Sequence, residues 1–375
     1  MRIGIDAHLV KARPTGVGKA ITRTIEAMAD ASQAHEFVIY ANKAFPDVLS
    51  NKANCRVVRT PLIAGSRILR IVHESYVMPR HVDRDKLDVF YAPGYVFPGA
   101  LRAPMVLGIF DLNALKHPKR VRPETARYYR WALPASAGRA ARIIAPTRAV
   151  AKDIERMLRV PSERIRVVPL AVDDRFRDPP REPHPVLQKY GIETPYALFV
   201  GNIEPNKNLR RLVEAFFAAR MNKKLPHTLV VAGKKRHQAR RLMSLVRQLG
   251  CEEHVVFPGY VHDDDLPALY AGADAFVYPS HAEGFGIPPL EAMLSGTATI
   301  TSEDAALVEV TGDGAAHFPA EDLAGLRRAL EKVLTERDFA AELARRGREV
   351  AAQYSWAETG RRTLEVLCEA AERGT

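Results

Sequence analysis

The sequence predicts an α/β protein made of two doubly wound, parallel-sheet (Rossmann-like) domains. Three observations carry this. Short apolar runs alternate with amphipathic stretches along the whole chain, the pattern of parallel strands covered by helices on both faces. The 375 residues exceed one ordinary core and suit two. A proline-rich seam, "DPPREPHPVLQKYG" (178–191), separates two such βα series.

In chain order, "MRIGIDAHLV" alternates like a buried strand. "APMVLGIFD" (103–111), "ARIIAPT" (141–147) and "IRVVPLAV" (165–172) are further strand candidates of the first half. After the seam come "YALFVGN" (196–202), "HTLVVAG" (227–233), "EHVVFPG" (253–259), "ADAFVYP" (273–279) and "TATITS" (297–302). "NLRRLVEAFFAARM" and "ARRLMSLVRQLG" between them read as amphipathic helices, and the tail "DFAAELARRGREVAAQYSWAETGRRTLEVLCEAA" is helical by period. The domains are therefore 1–178 and 179–354, with a last helix, 355–375, expected to pack back on the first. No internal repeat appears. Ligands of open parallel sheets bind beyond the carboxyl ends of the strands, so two facing sheets would hold one ligand in the cleft between them.

A composition of 47% hydrophobic and 26% charged residues is that of a soluble globular protein. No run of about 18 apolar residues occurs, and the start lacks an apolar signal core, which points to a cytoplasmic chain. Cys55, Cys251 and Cys368 stand far apart and form neither a disulfide framework nor a zinc pattern. The net charge of +11 is uneven. Residues 1–180 hold 31 Lys and Arg against 17 Asp and Glu, whereas 181–375 hold 24 against 27. A basic half meets nucleic acid, acidic lipid headgroups or a phosphorylated substrate, or is simply solvated. Nucleic acid is the weakest of these, because no recognition module is present.

Two basic stretches interleave cations with apolar residues. "SRILRIVHESYVMPRH" (66–81) mixes Arg67, Arg70 and Arg80 with Ile68, Leu69, Ile71, Val72 and Val77. "KHPKRVRPETARYYRWALP" (116–134) adds Tyr128, Tyr129 and Trp131. Such mixtures suit peripheral contact with an anionic inner-membrane surface or a lipid-diphosphate-linked acceptor; the plain alternative is core residues beside solvated arginines.

The most informative stretch is "HAEGFGIPPLEAM" (281–293), directly after the strand "ADAFVYPS". Gly284 and Gly286 permit close backbone approach. Pro288 and Pro289 suit a first helical turn, and Gly296 can close the helix. Its free N–H groups and positive dipole end make a natural diphosphate seat. Glu291, placed in the first turn, is available to sugar hydroxyls, and Glu283 lies in the loop on the ligand side; both also fit plain roles in dipole and turn. Gly16 and Gly18 in "RPTGVGKAI" form a second glycine loop, with Lys19 at the following helix start. The acidic run "HDDDLPALY" (262–270) reads as a helix N-cap rather than a metal-binding D-x-D. Histidines 81, 117, 227 and 262 show no metal spacing, so no metal site is expected.

"EGFGIPPLE" resembles the E-x7-E element of the GT4 family of retaining glycosyltransferases of GT-B fold, and the resemblance extends over almost the whole chain. "FVGNIEPNKNLRRLVEAF" (199–216) is similar to that family's donor-phosphate segment, and "VVFPGYVHDDDLPALYAGADAFVYPS" (255–280) to the segment beside the nucleotide base. "IGIDAHLVKARPTGVGKAITR" (3–23) looks like its N-terminal glycine loop, and "RIRVVPLAVD" (164–173) like the end of its first domain. The resemblance implies that Glu283 contacts the transferred sugar. Gly284, Phe285, Gly286 and Ile287 would offer backbone groups to the donor, and Glu291 would hold the ribose. Lys207 would neutralise the leaving diphosphate without a metal. Asn202, Tyr260, Gly16 and Gly18 join the implied donor-binding set, and Asp111 the catalytic one.

Two positions depart from the family pattern. Asn202 stands where many members carry arginine, and Phe110, in "GIFDLNAL" (108–115), stands where a histidine usually precedes the aspartate. The implied donor is a nucleotide diphosphate sugar, with GDP-mannose preferred over UDP-sugars; the acceptor is a glycan or lipid-linked hydroxyl of surface-polysaccharide synthesis, and no cofactor is required. A nucleotide-sugar epimerase of the same fold and a catalytically silent nucleotide-binding paralogue are the alternatives.

Overall fold

The computed structural model of the protein describes residues 1–12, 16–49, 51–61, 67–180, 182–234 and 237–372, the side chains at 67, 68, 237 and 238 excepted. Ser66 and the side chains of Arg67 and Ile68 in the first basic stretch, and Arg181 of the proline-rich seam, thus lie outside what is described. The chain divides into two compact units. One comprises Met1–Leu170 with Ser355–Thr375, the other Ala171–Tyr354.

The first unit is built on a seven-stranded sheet, β1 (Arg2–Asp6), β2 (Glu36–Asn42), β3 (Cys55–Thr60), β4 (Val89–Ala92), β5 (Met105–Gly108), β6 (Arg142–Ala145) and β7 (Ile165–Val167). Its order is β3-β2-β1-β4-β5-β6-β7, and every pairing is parallel. The order reverses between β1 and β4, which makes their carboxyl ends the switch point where ligands enter such sheets. The last helix, Trp356–Glu372, packs on the first, Val17–Ala31. Gly360 makes this possible: a Cβ there would sit 2.6 Å from the Ala27 carbonyl carbon. On the same helix Glu369 ties β6 to β7 through Arg142, at 2.9 Å, and Arg166, at 2.6 Å.

The second unit carries β8 (Tyr196–Val200), β9 (Thr228–Ala232), β10 (Val255–Gly259), β11 (Ala275–Tyr278), β12 (Thr299–Ser302) and β13 (Ala315–Phe318), in the order β10-β9-β8-β11-β12-β13. This sheet too is parallel throughout, with its switch point between β8 and β11. Val, Leu, Ile and Phe bury both faces of the central strands.

The apolar runs named from the sequence all contain strands. β2, β3, β4 and β13 lie outside them. β3 and β13 are edge strands, only partly buried, in which Arg56, Arg59 and His317 interrupt the apolar pattern. β2 and β4 are as apolar as the rest. The seam between the units falls at Leu170/Ala171, eight residues before the sequence-based boundary. The intervening residues are held by the second unit: Phe176 packs edge-on against Tyr270 with ring centres 5.7 Å apart, and Arg175 pairs with Asp264 at 3.1 Å. The helical tail is two helices, Arg337–Ala351 in the second unit and Trp356–Glu372 in the first.

Candidate active site

The second unit gathers its polar residues at the carboxyl ends of β8 and β11. The turn Pro205–Lys207 follows β8, and the glycine-containing loop follows β11. Two bonds staple these loops together: His281 N–H donates to Asn206 O at 2.9 Å, and Asn206 Nδ2 to Ala282 O at 2.6 Å. Asn208 closes the turn in left-handed geometry, φ 54°, and its amide donates to Ala320 O. The lysine is thereby fixed by backbone rather than left on a loose loop.

Lys207 Nζ donates to Glu283 Oε1 and to Tyr278 Oη, both at 2.6 Å, and lies 4.7 Å from the centre of the Tyr278 ring. Both partners of the ion pair are only 14% exposed. Burial opposes the ammonium charge, but Glu283 and Tyr278 outweigh it and raise the lysine above its ordinary range. Burial and the Glu283 charge push the Tyr278 phenol up to about 12. Two of the three ammonium protons are thus committed to the protein, which leaves one to point elsewhere.

The helix Ile287–Leu294 begins at Gly286, whose φ of 99° a residue with a Cβ rarely adopts. A Cβ would also meet Leu307 Cδ2 at 2.5 Å. Pro288 and Pro289 occupy the first turn as expected, no side chain caps it, and Gly296, φ 81°, follows the last turn. Glu291 lies one turn further in than the sequence reading placed it. It is buried and accepts a 2.8 Å hydrogen bond from Tyr270 Oη. Phe285 is buried edge-on against Tyr354, with ring centres 5.6 Å apart.

The other implied residues stand as follows. Asn202 is partly buried just after β8. Tyr260 donates to Asp263 at 3.3 Å, and Lys234 Nζ lies 4.9 Å from its ring centre. The acidic run does not cap its helix through a side chain. Asp265 sits at the N-cap of Leu266–Ala271 with helical φ and ψ, which turns its carboxylate away; it accepts from Lys189 at 2.7 Å and Tyr190 at 2.6 Å instead. Among the described residues no group of three or more His, Cys, Asp or Glu could hold a metal ion. The sequence reading missed Tyr278 and Tyr270, whose only signal is that one ends the strand before the glycine loop and the other sits in the facing helix.

The remaining candidates belong to the first unit. Gly16, φ 51°, is the N-cap of Val17–Ala31. Gly18 is not a loop residue but the second residue of that helix. Phe110 is buried. Asp111, at the end of β5, accepts from Tyr95 Oη at 2.7 Å and from Asn113 N–H at 2.8 Å.

Beyond β1 lies a polar cluster with no counterpart in the sequence reading. Asp6 accepts from the His8 backbone N–H at 3.0 Å and meets His8 Nδ1 at 2.7 Å, while His8 Nε2 meets Thr60 Oγ1 at 2.9 Å. The buried Glu74 pairs with Arg70 Nε at 3.3 Å, and its Oε2 has no hydrogen-bond partner among the described residues. Burial and the Asp6 charge push the Glu74 carboxyl well up. Glu74 and His73 belong to a π-helical turn, His73–Val77, a form frequent at functional sites.

This corrects the reading of the first basic stretch. Arg70 faces inward, while Leu69, Val72 and Tyr76 are 50, 49 and 68% exposed. At this end of the stretch ionisable groups lie inside and apolar ones in solvent, whereas further along Met78 is buried and Arg80 is exposed. Trp131, 69% exposed, stands on the second basic stretch. Among the described residues no helix is long and apolar enough to cross a membrane.

Comparison with known proteins matches residues 14–176 to the model "Glycosyltransferase Family 4" and residues 187–350 to "Glycosyl transferases group 1". O-antigen chain mannosyltransferase B of Escherichia coli is 29% identical over 98% of this chain and 99% of its own length. The serotype-specific mannosyltransferase WbdA, also of Escherichia coli, is 34% identical over 60% of this chain but only 28% of its own length. Among solved structures, sucrose-phosphate synthase of Thermosynechococcus elongatus superposes with a TM-score of 0.80 over 98% of both chains at 18% identity, a likeness of fold.

Proposed function

The chain belongs to the GT4-type glycosyltransferases of GT-B fold, and from that premise we propose that it is a retaining, metal-independent mannosyltransferase using GDP-mannose. Its acceptor is a hydroxyl of a glycan or lipid-diphosphate-linked glycan in surface-polysaccharide synthesis. The observation that carries the reading is the buried ammonium of Lys207, pinned by Glu283 and Tyr278, in the loop stapled to the one that leads into the uncapped helix at Gly286. A fixed cation and a helix N-terminus suit a leaving diphosphate, which needs charge stabilisation as the glycosidic bond breaks. The named relative along the whole chain supports mannose and the O-antigen setting.

In this reading the bond from the sugar's anomeric carbon to the diphosphate oxygen breaks and a bond to the acceptor oxygen forms on the same face. The acceptor's proton passes to the departing phosphate oxygen, and GDP leaves. Lys207 stabilises the charge on that oxygen, the remaining ammonium proton being the one available to it. Glu283 orients the sugar, and its pairing with Lys207 keeps both side chains in place between turnovers. Glu291, held by Tyr270, faces the ribose. The two glutamates are clamps rather than an acid–base pair.

The exposed Leu69, Val72 and Tyr76, on a strongly basic half, support peripheral contact with an anionic membrane surface from the cytoplasmic side. Flotation with phosphatidylglycerol vesicles, lost in high salt and in Tyr76→Ser, is the expected result; equal flotation with neutral vesicles would count against it. The donor is tested by thermal shift against GDP, UDP, ADP and their sugar conjugates, repeated with Lys207→Ala and Glu291→Ala. Stabilisation of the wild type by GDP and GDP-mannose alone, reduced in both variants, is expected. No stabilisation by any nucleotide sinks the reading.

A further inference from the structure

The loop after β4 holds a tyrosine in a conformation that tyrosine disfavours. Tyr95 has φ 70°, the largest positive value among the non-glycine residues described. A bulky side chain there is a genuine outlier, of a kind that persists where the surroundings over-determine it and that clusters at ligand sites. Both ends of the residue are fixed. Its backbone N–H donates to Gly108 O at 3.1 Å, and its hydroxyl donates to Asp111 Oδ2 at 2.7 Å. The ring stands edge-on to Phe110 at 5.8 Å and to Tyr129 at 6.1 Å. The side chain is nonetheless only partly buried, and it projects from the carboxyl end of β4, one of the two strands that form the switch point of this sheet.

On the proposed glycosyl transfer, we infer that Tyr95 is a sugar-contacting specificity residue of the first unit, and that Asp111 is its positioning residue rather than a catalytic group. The chemistry follows from the direction of the hydrogen bond. With its proton given to a carboxylate, the phenol oxygen presents lone pairs and accepts from a substrate hydroxyl. Both Asp111 oxygens are engaged in holding this loop, one accepting the Tyr95 proton and the other the Asn113 N–H, which is the work of a positioning group. The aromatic wall of Phe110 and Tyr129 supplies an apolar backing, so that a single oriented polar atom selects among hydroxyls, as in small-molecule sites generally. Glycine at 95 would adopt the same backbone without strain. The strained side chain is therefore kept for what it contacts.

The test uses the full chain, the sugar nucleotide that stabilises it in the thermal screen, and octyl α-D-mannopyranoside as acceptor. Tyr95→Phe keeps the ring and removes the hydroxyl. It is expected to bind the nucleotide as the wild type does and to stay folded at the assay temperature, its melting point lowered only by the lost bond to Asp111. Its kcat/KM for the acceptor should fall about tenfold, the worth of one hydrogen bond, whereas its KM for the donor should stay unchanged. Asp111→Asn should lose acceptor kcat/KM in the same way, and adding Asp111→Asn to Tyr95→Phe should cost nothing further. A Tyr95→Phe enzyme with wild-type acceptor kinetics overturns the inference, as does a loss that merely tracks a lower melting temperature. A wild type that binds no nucleotide and transfers no sugar overturns the functional reading instead, and the role of Tyr95 falls with it.

Discussion

The two units solve the placement of charge in opposite ways. In the second, one lysine is matched by one glutamate and one tyrosine, Glu291 by Tyr270, and the glycine turn sets the helix end that completes the group. In the first, Asp6, His8, Arg70, His73 and Glu74 crowd together from two distant segments, Glu74 Oε2 and His73 Nδ1 lack partners among the described residues, and Tyr95 is strained. In the second arrangement each of these charged groups has its partner in the protein, and in the proposed reading it receives a diphosphate. The first holds unsatisfied groups that a ligand, a shared proton or a water must complete.

The sharpest way to break this contrast is Lys207→Ala. It removes the cation and leaves Glu283 buried alone. Turnover should fall about 100- to 1,000-fold, by analogy with lost transition-state donors. Stability should fall by about 3–5 kcal/mol from the unpaired carboxylate. Lys207→Ala combined with Glu283→Gln should recover most of the stability and none of the turnover, measured by GDP release and denaturant midpoint.

Gly286→Ala is next. The left-handed backbone and the close Leu307 Cδ2 together should cost about 1–3 kcal/mol and weaken nucleotide binding, read by thermal shift with and without GDP. Full binding by this variant would mean that the helix start plays no part in the site. Glu291→Ala orphans the buried Tyr270 hydroxyl, at about 1–3 kcal/mol, whereas Glu291→Gln keeps an acceptor there and should melt near the wild type.

The smallest effect concerns the first unit alone. Hydrogen bonds from Arg142 and Arg166 hold the Glu369 carboxyl at about 2, against an ordinary 4.5. A lowered carboxylate contributes stability above its unfolded value and loses it as pH falls through the folded one. The gap between wild type and Glu369→Gln should therefore close between about pH 4.5 and pH 2. Both tryptophans, Trp131 and Trp356, belong to this unit, so their fluorescence reports it selectively.

Legibility in the sequence follows the same division. The fold class was readable because parallel strands buried on both faces must be continuous apolar runs, and the second sheet supplied five of them in order. Glu283, Gly286 and Glu291 were readable because one loop and one helix start carry them within nine residues. Lys207 needed the family resemblance, since its partner lies 76 residues away. The cluster around Glu74 was not readable. Its helix shows the periodicity of an amphipathic segment, and nothing local says which face turns inward; the sheet decides that by offering Asp6 and His8 at the end of β1. Asp111 joined the catalytic set through the family resemblance, and its tie to Tyr95 depends on a backbone angle that no residue pattern announces.

The closing helix, Trp356–Glu372, has one further consequence, for the order in which the molecule is made. A chain leaving the ribosome presents the first sheet early, yet the surface of Val17–Ala31 that Gly360 covers stays bare until Trp356–Glu372 has emerged. The unit Ala171–Tyr354, contiguous in sequence, has all its parts in hand sooner. The half that is begun first is therefore finished last, and during synthesis it is the half that needs protection from its neighbours.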